Sequence, residues 1–417
     1  MRKLACCFIV SLLVFTLSAQ SRTASDYYEN AMQAYKQKDY TSFVQNLHKV
    51  IAAGTSHPRV FYNLAAGYSL LGKTAEAARW LNKIADAGIS YPVEKDPDFA
   101  AIKSKPEFLA IVSRFAQNQT PVVRSTPAFT ISDPAFIPEG LAFDPNTNEF
   151  FAGSILRQKI AVLNENGNTI DFSSPTDGLR SVLGMSVDPK RKLLWVSSAN
   201  LEDLSAEKQS FSGIFKYSLS DRRLIKSYLF PSNEAHQVGD VIVNRDGDAF
   251  STDSLHPAIY RIGHETDSLE KLQVGDIFRS PQGLCFSEDE KILFVADYVR
   301  GIFVIDLKTK KHKSLRAPAN VTIAGIDGLY QYKGNLIATQ NGFSPNRILR
   351  IQLNAAKDRA ERVTVLEANV PANGEITLAT IVENDLYYVG NSQLETYLRD
   401  HDAQLQPASI RKISLRD

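Results

Sequence analysis

Glu139, Asp240, Gln282 and Asp327 each stand at the start of a repeated strand–turn–strand unit. Three carboxylates and an amide oxygen brought to one side of a ring make a hard-oxygen cation site. Calcium takes about six to eight such ligands, and magnesium is the tighter alternative. The positions matching them in the other units are apolar, Leu183 and Ile376, while Gly239 directly precedes Asp240. Two histidines fall on the same face, where either could act as a base: His236, three residues before Gly239, and His256, in the loop after FSTDS. Tyr298 and Phe343 fall in loops on that face and are candidates to shape an apolar substrate pocket.

The elements that must position these residues recur along the chain. PEGLAFDPNTNEFFAGSILRQKIAVLN, residues 138–164, reads as a β-meander with turns at Pro145 to Asn148 and before Lys159. Its first half returns at Leu183, Gly239, Gln282 and Asp327, and more weakly at Ile376, at intervals of 43 to 56 residues. Each copy is two strands, a loop and a third strand such as GIFKYSL or GIFVIDL. Six multi-strand repeats of this period predict a mainly β fold, a six-bladed β-propeller over residues 128–417. AFTIS (128–132) is expected to close the ring as the outer strand of the last blade, removing an exposed edge. Because strands reverse direction within a blade, the starts of first strands and the loops after second strands share one end of the channel. The insertions 201–212 and 393–407 both follow second strands, so both rise over that mouth, as lids or as contacts with another protein.

EGLAFD, GDVIVNRDGDAFSTDS, QGLCFS and DGL at the repeat starts resemble the gluconolactonase/regucalcin (luciferin-regenerating enzyme) family, over about residues 128–415. A more distant likeness is to paraoxonase and strictosidine-synthase propellers. In the first family a divalent ion is held by a glutamate at the first blade start, asparagines at later ones, and an aspartate followed by glycine. Glu139 and Asp327 match residue for residue, Gln282 stands where an asparagine is usual, and Gly239 replaces another, with Asp240 retained after it. The resemblance implies hydrolysis of a lactone or small ester, with the cation polarising the carbonyl and Asp327 or Asp240 orienting or deprotonating water. The histidine pair of paraoxonase-like sites has no counterpart in the second-blade segment SSAN (197–200).

Residues 20–117 change to a helical, alanine-rich pattern. Tyr28, Ala31 and Tyr35 are answered 33 residues later by Phe61, Leu64 and Tyr68, and Phe43, Leu47 and Val50 are answered by Ala77, Leu81 and Ile84. Two helical hairpins follow, and residues 96–115 supply one or two closing helices. With Tyr68 to Gly72 and Ala77-Ala78, the pattern resembles tetratricopeptide repeats. This domain is expected to pack against its neighbour or to dock a protein partner. A polar linker, 118–127, joins it to the propeller. Residues 1–19 carry Arg2 and Lys3, an apolar run to Leu17 and a small-residue end, the form of a removable secretory signal peptide. The expected location is periplasmic or secreted, and Cys285 then remains as the only cysteine, in a strand where it reads as a small buried hydrophobe. A formal charge of +1 with no long Lys/Arg run gives no argument for a nucleic-acid partner, and none is expected; no further segment is long enough to span a membrane.

Two readings of function follow. The first is an exported, divalent-cation-dependent hydrolase of a lactone or small ester, with calcium held by Glu139, Gln282, Asp327 and Asp240 and with Asp327, Asp240 or His236 as the catalytic base. His256, Tyr298 and Phe343 would then line the substrate pocket. The second is a non-catalytic propeller that binds a ligand or a protein, docked through its helical repeats.

Overall fold

The computed structural model describes residues 24–55, 57–164, 168–201, 204, 211–371 and 374–416. The expected leader and most of the 201–212 insertion lie outside them. The described residues divide into two compact units, one up to residue 55 and one from residue 57 on. Helices α1 (Ala24–Lys36) and α2 (Tyr40–Ala52) form the helical pair of the first. Asp39 caps α2 by accepting a hydrogen bond from the Ser42 N–H at 3.0 Å, and Phe43, Leu47 and Val50, spaced by four and three residues, are its buried stripe.

The larger unit opens with α3 (Pro58–Leu70), α4 (Thr74–Asp86) and α5 (Pro106–Asn118). Proline occupies the first turn of α3 and α5, where its missing N–H costs nothing. α4 buries Ala77, Ala78, Leu81 and Ile84, and α5 buries Phe108, Ile111 and Phe115. Six four-stranded antiparallel sheets follow, which is the expected six-bladed propeller. The first strands of the blades are Pro138–Asp144, Ser181–Asp188, Val238–Val243, Pro281–Phe286, Ile326–Tyr332 and Ala379–Val382. The second strands, such as Glu149–Ser154 and Ala249–Asp253, are buried almost throughout because a blade covers each face. The short outermost strands, such as His312–Ser314, are exposed.

The ring closes where the sequence predicts, with Thr126–Ile131 pairing antiparallel to Ala408–Ser414 as the outer strand of the sixth blade. The buried Glu367 carboxylate secures the junction, accepting from the Arg124 and Ser125 N–H groups at 3.0 and 2.7 Å and from the Tyr388 hydroxyl. Arg411 donates to the Ser125 Oγ at 2.8 Å. Among the described residues no helix is long and apolar enough to cross a membrane.

Helices α3–α5 are joined to the fifth blade through one side chain above all. Arg347, 5% exposed, donates to Gln340 Oε1 at 2.9 and 2.5 Å and to the Ala87 carbonyl, at the C-terminal end of α4, at 2.8 Å. A cation at that end meets the free carbonyls and the negative end of the helix dipole. Gly88, at φ +70°, ends the helix, and a Cβ there would stand 2.7 Å from the Arg347 guanidinium. The Ser90 N–H adds a bond of 2.7 Å to the Ser344 carbonyl. Removing the guanidinium in Arg347→Ala strands Gln340 and the helix carbonyls in a dry site, and should cost about 3 kcal/mol. Urea unfolding checks this, and limited proteolysis should show cleavage between residues 57 and 118 before the propeller is cut.

Candidate active site at the channel mouth

Blades one to five each carry a one-residue bulge at the start of the first strand, between Pro138 and Leu141, Val182 and Met185, Val238 and Val241, Pro281 and Leu284, and Ile326 and Gly328. Bulges re-aim side chains, and here each falls on the candidate ligand position. In four of the five the next residue is glycine, and in blades one, two and four the neighbouring blade leaves no room there for a side chain. A Cβ at Gly140 would stand 2.0 Å from the Leu183 carbonyl oxygen, and one at Gly283 would stand 2.5 Å from that of Asp327. The pattern X-Gly thus packs the glycine toward the next blade and leaves X to face the channel. Third-blade Gly239 occupies X and Asp240 occupies the glycine position, one residue further along.

That offset separates the expected ligands. Glu139 and Asp327 come together, and the carboxylate that completes the group is Glu375, one residue before the apolar Ile376. All three are pushed upward by burial first of all: Glu139 well above the usual carboxylate range, with Asp327 and Glu375 adding their charge, and Glu375 to about 7. Asp327 is raised by burial and held back by Asn341, whose Nδ2 donates to it at 2.9 Å. The Tyr298 hydroxyl in turn donates to Asn341 Oδ1 at 3.0 Å, so this loop tyrosine supports the acid group. Among the described residues, buried Glu139 Oε2 has no hydrogen-bond partner. Three half-buried carboxylates with one buried oxygen unanswered form a donor set that fits a divalent cation of the calcium or magnesium type.

Asp240 stays within electrostatic reach of Asp327 but lines a different cavity. Its Oδ1 accepts from the Val241 N–H at 2.9 Å, and with Cys285, Met185 and Tyr330 it lines a cavity of about 260 Å³ further down the channel. Burial raises it to about 7. Gln282 donates to Ser280 Oγ at 3.0 Å, and its oxygen lies 3.7 Å from where a Gly239 Cβ would be, facing the space that the missing side chain leaves. His236 and His256 are not with the acids. They pack on the third-strand side of blade three, where His236 lies against Phe230 and Tyr260, and the two rings are 5.1 Å apart.

Above the acids lies a cavity of about 450 Å³. Asn341, Phe343, Asn346 and Glu375 line it from the propeller, and Arg59 and Tyr91 from the helical segment. Phe343 meets the His57 ring at 5.2 Å and the Arg59 guanidinium lies 5.5 Å from the Tyr91 ring centre. The 393–407 insertion forms part of the rim: its helix α6 (Leu394–Arg399) gives the Glu395 N–H to Glu375 at 3.1 Å. Leu394, Tyr397 and Leu405 pack on a cluster that includes Ile137, Leu183 and Trp195 of blades one and two. Sequence reasoning passed over Glu375, Asn341 and Arg59. Glu375 and Asn341 had a usable signal, being polar residues beside a repeat start and directly after a second strand; Arg59 had none.

The raised acids set a pH dependence. A carboxyl with a higher pKa in the folded chain than in the unfolded one holds a proton that unfolding releases, so stability falls as pH rises between the two values. For Glu375 that window runs from 4.5 to about 7. The metal-free protein should therefore lose thermal stability from about pH 5 to pH 7, with a shallower slope in Glu139→Gln and in millimolar calcium, as read by scanning calorimetry across that range.

No family model matches the sequence, and no curated protein matches it. Among solved structures the fold is similar to an oxidoreductase described as a glucose dehydrogenase from Thermus thermophilus, at TM-score 0.48 and 14% identity, over 70% of this chain and 100% of that one. It is similar to a gluconolactonase of Xanthomonas campestris at TM-score 0.46 and 15% identity, over 70% and 95% of the two chains. A chain of a nidogen/laminin complex matches at TM-score 0.43 and 15% identity, over 55% and 80%. These are likenesses of fold, and the chemistry of this chain is argued from its own residues.

Proposed function

We propose that the protein is an exported, divalent-cation-dependent hydrolase of a lactone or small ester, working in the cavity between the helical segment and the channel mouth. One observation carries this reading: three half-buried carboxylates from three blades converge, with Glu139 Oε2 unanswered, beside a cavity of a size that suits a small molecule. The leader-like residues 1–19 support export. Glu139, Asp327 and Glu375 would hold the cation, with the Gln282 oxygen as a neutral neighbour. When bound, it would supply Lewis-acid polarisation of the substrate carbonyl and stabilise negative charge developing on that oxygen.

The remaining work falls to the chain. Asn341 keeps Asp327 in place, and Tyr298 keeps Asn341 in place, so this pair is oriented before substrate arrives. Glu375 lines the cavity, and as a carboxylate beside the cation it can accept a hydrogen bond from an attacking water and orient it. This role moves to Glu375 from Asp240 and His236, which face elsewhere. Arg59 offers hydrogen-bond donors to a polar ring substrate, while Tyr91 and Phe343 give it apolar walls.

Calcium calorimetry on the mature protein tests the metal, and hydrolysis of a panel of aldonolactones and aryl esters tests the chemistry. One site is expected, lost in Glu139→Gln and Asp327→Asn, with activity reduced at least about 100-fold in both. No binding of calcium, magnesium, manganese or zinc at the channel would sink the metallohydrolase. Cation binding without turnover of any lactone or ester would favour the binding propeller instead.

A further inference from the structure

We propose a second metal site, separate from the channel, formed by Glu234, His236 and His256 on the rim of blade three and suited to zinc or a similar transition metal. One ligand atom from each of the three lies within 4.8 Å of the others. His236 Nε2 is 3.5 Å from Glu234 Oε2, and His256 Nδ1 is 3.9 Å from the same oxygen. The donors are two imidazole nitrogens and one carboxylate oxygen. That set favours zinc, copper or nickel over calcium and magnesium, whereas the channel offers oxygen alone.

The group is organised by Asp253, at the end of a second strand. Its Oδ1 accepts backbone N–H bonds from Gln237, Leu255 and His256 at 3.0, 3.2 and 3.0 Å, and its Oδ2 meets His236 Nδ1 at 2.5 Å. A carboxylate so engaged is the acceptor, so the proton of the His236 ring lies on Nδ1 and Nε2 is turned toward Glu234. A buried carboxylate holding the far nitrogen of an imidazole is the arrangement that orients metal-binding histidines and raises their basicity. The same aspartate holds the backbone of His256, so a single residue sets both nitrogen donors.

A comparison within the ring shows that the blade itself does not need the histidine. Asp297, at the same place in blade four, accepts only backbone N–H groups, from Arg279, Ser280, Val299 and Arg300 at 2.6 to 3.0 Å. In blade three an imidazole has taken one of those oxygens. The two outer ligands are also free to adjust: His236 is 3% exposed and fixed, while the His256 and Glu234 side chains are 45% and 53% exposed. A tetrahedral zinc needs ligand bonds of about 2.0–2.2 Å, which rotation of those two side chains supplies, and three protein ligands leave the fourth position to water.

Zinc and cobalt(II) titration of the chelator-treated full chain, with calcium in excess to fill the channel, tests the proposal. One zinc per chain is expected, competing with cobalt, whose visible absorption should report a nitrogen-containing site of low coordination number. His256→Ala and Glu234→Gln alter exposed side chains and should each weaken zinc about 10- to 100-fold, and Asp253→Asn should do so by misorienting His236. Glu139→Gln should leave zinc binding unchanged. The idea is overturned if zinc binds equally well to His256→Ala, if Glu139→Gln abolishes it, or if no zinc binds at micromolar concentration.

Discussion

The structure depends on how closely six first strands approach one another around the channel. Where Gly140 and Gly283 pass the next blade, a single added carbon would overlap a carbonyl oxygen. In blades one, two and four this close approach requires a residue without a side chain, and the bulge beside that residue turns its predecessor inward. Structural necessity and site geometry share one dipeptide: the glycine lets the blades meet, and the residue before it faces the axis. Blade three reverses the order. Gly239 leaves the inward place vacant, Gln282 turns its oxygen toward the gap, and Asp240 serves a separate cavity below.

Concentrating Glu139, Asp327 and Glu375 in a half-buried place is unfavourable for the ionised protein, and their raised pKa values record that cost. Nothing in the blade fold requires it, since Leu183 occupies the matching place in blade two at no electrostatic penalty. Such clusters persist where a bound charge offsets them. The supporting hydrogen bonds from Asn341 and Tyr298 run outward from the axis, so the acids are held by a rigid sheet end and not by loops alone. The helical segment then closes the cavity, and the route is short: Arg347 reaches from the fifth blade to the end of α4, and the turn after it carries Ser90 and Tyr91 to the channel mouth.

Much of this was legible in the linear chain. The alternation of strands, the repeat interval and the closing role of the segment near residue 128 follow from local periodicity, because each blade is one meander whose strands are near in sequence. Glu139 and Asp327 were found for the same reason, since both precede a glycine at a repeat start. Asp240 was expected beside them; it occupies the glycine position, one residue further along the bulge, and lines a separate cavity. Glu375 was missed because the sixth repeat enters its first strand late, at Ala379, and the acid sits in irregular chain before it.

The sequence by itself determined the blades, their number, the helical hairpins and two of the three channel acids, all of which follow from short-range pattern. Only the tertiary structure decided which acids meet, that His236 and His256 gather with Glu234 away from them, and that Arg59 and Tyr91 cover the channel mouth. The physical reason is that those relations, the near neighbours Glu234 and His236 aside, join residues from 20 to over 300 positions apart, through packing between blades and between helix and sheet. No local periodicity encodes contacts of that kind.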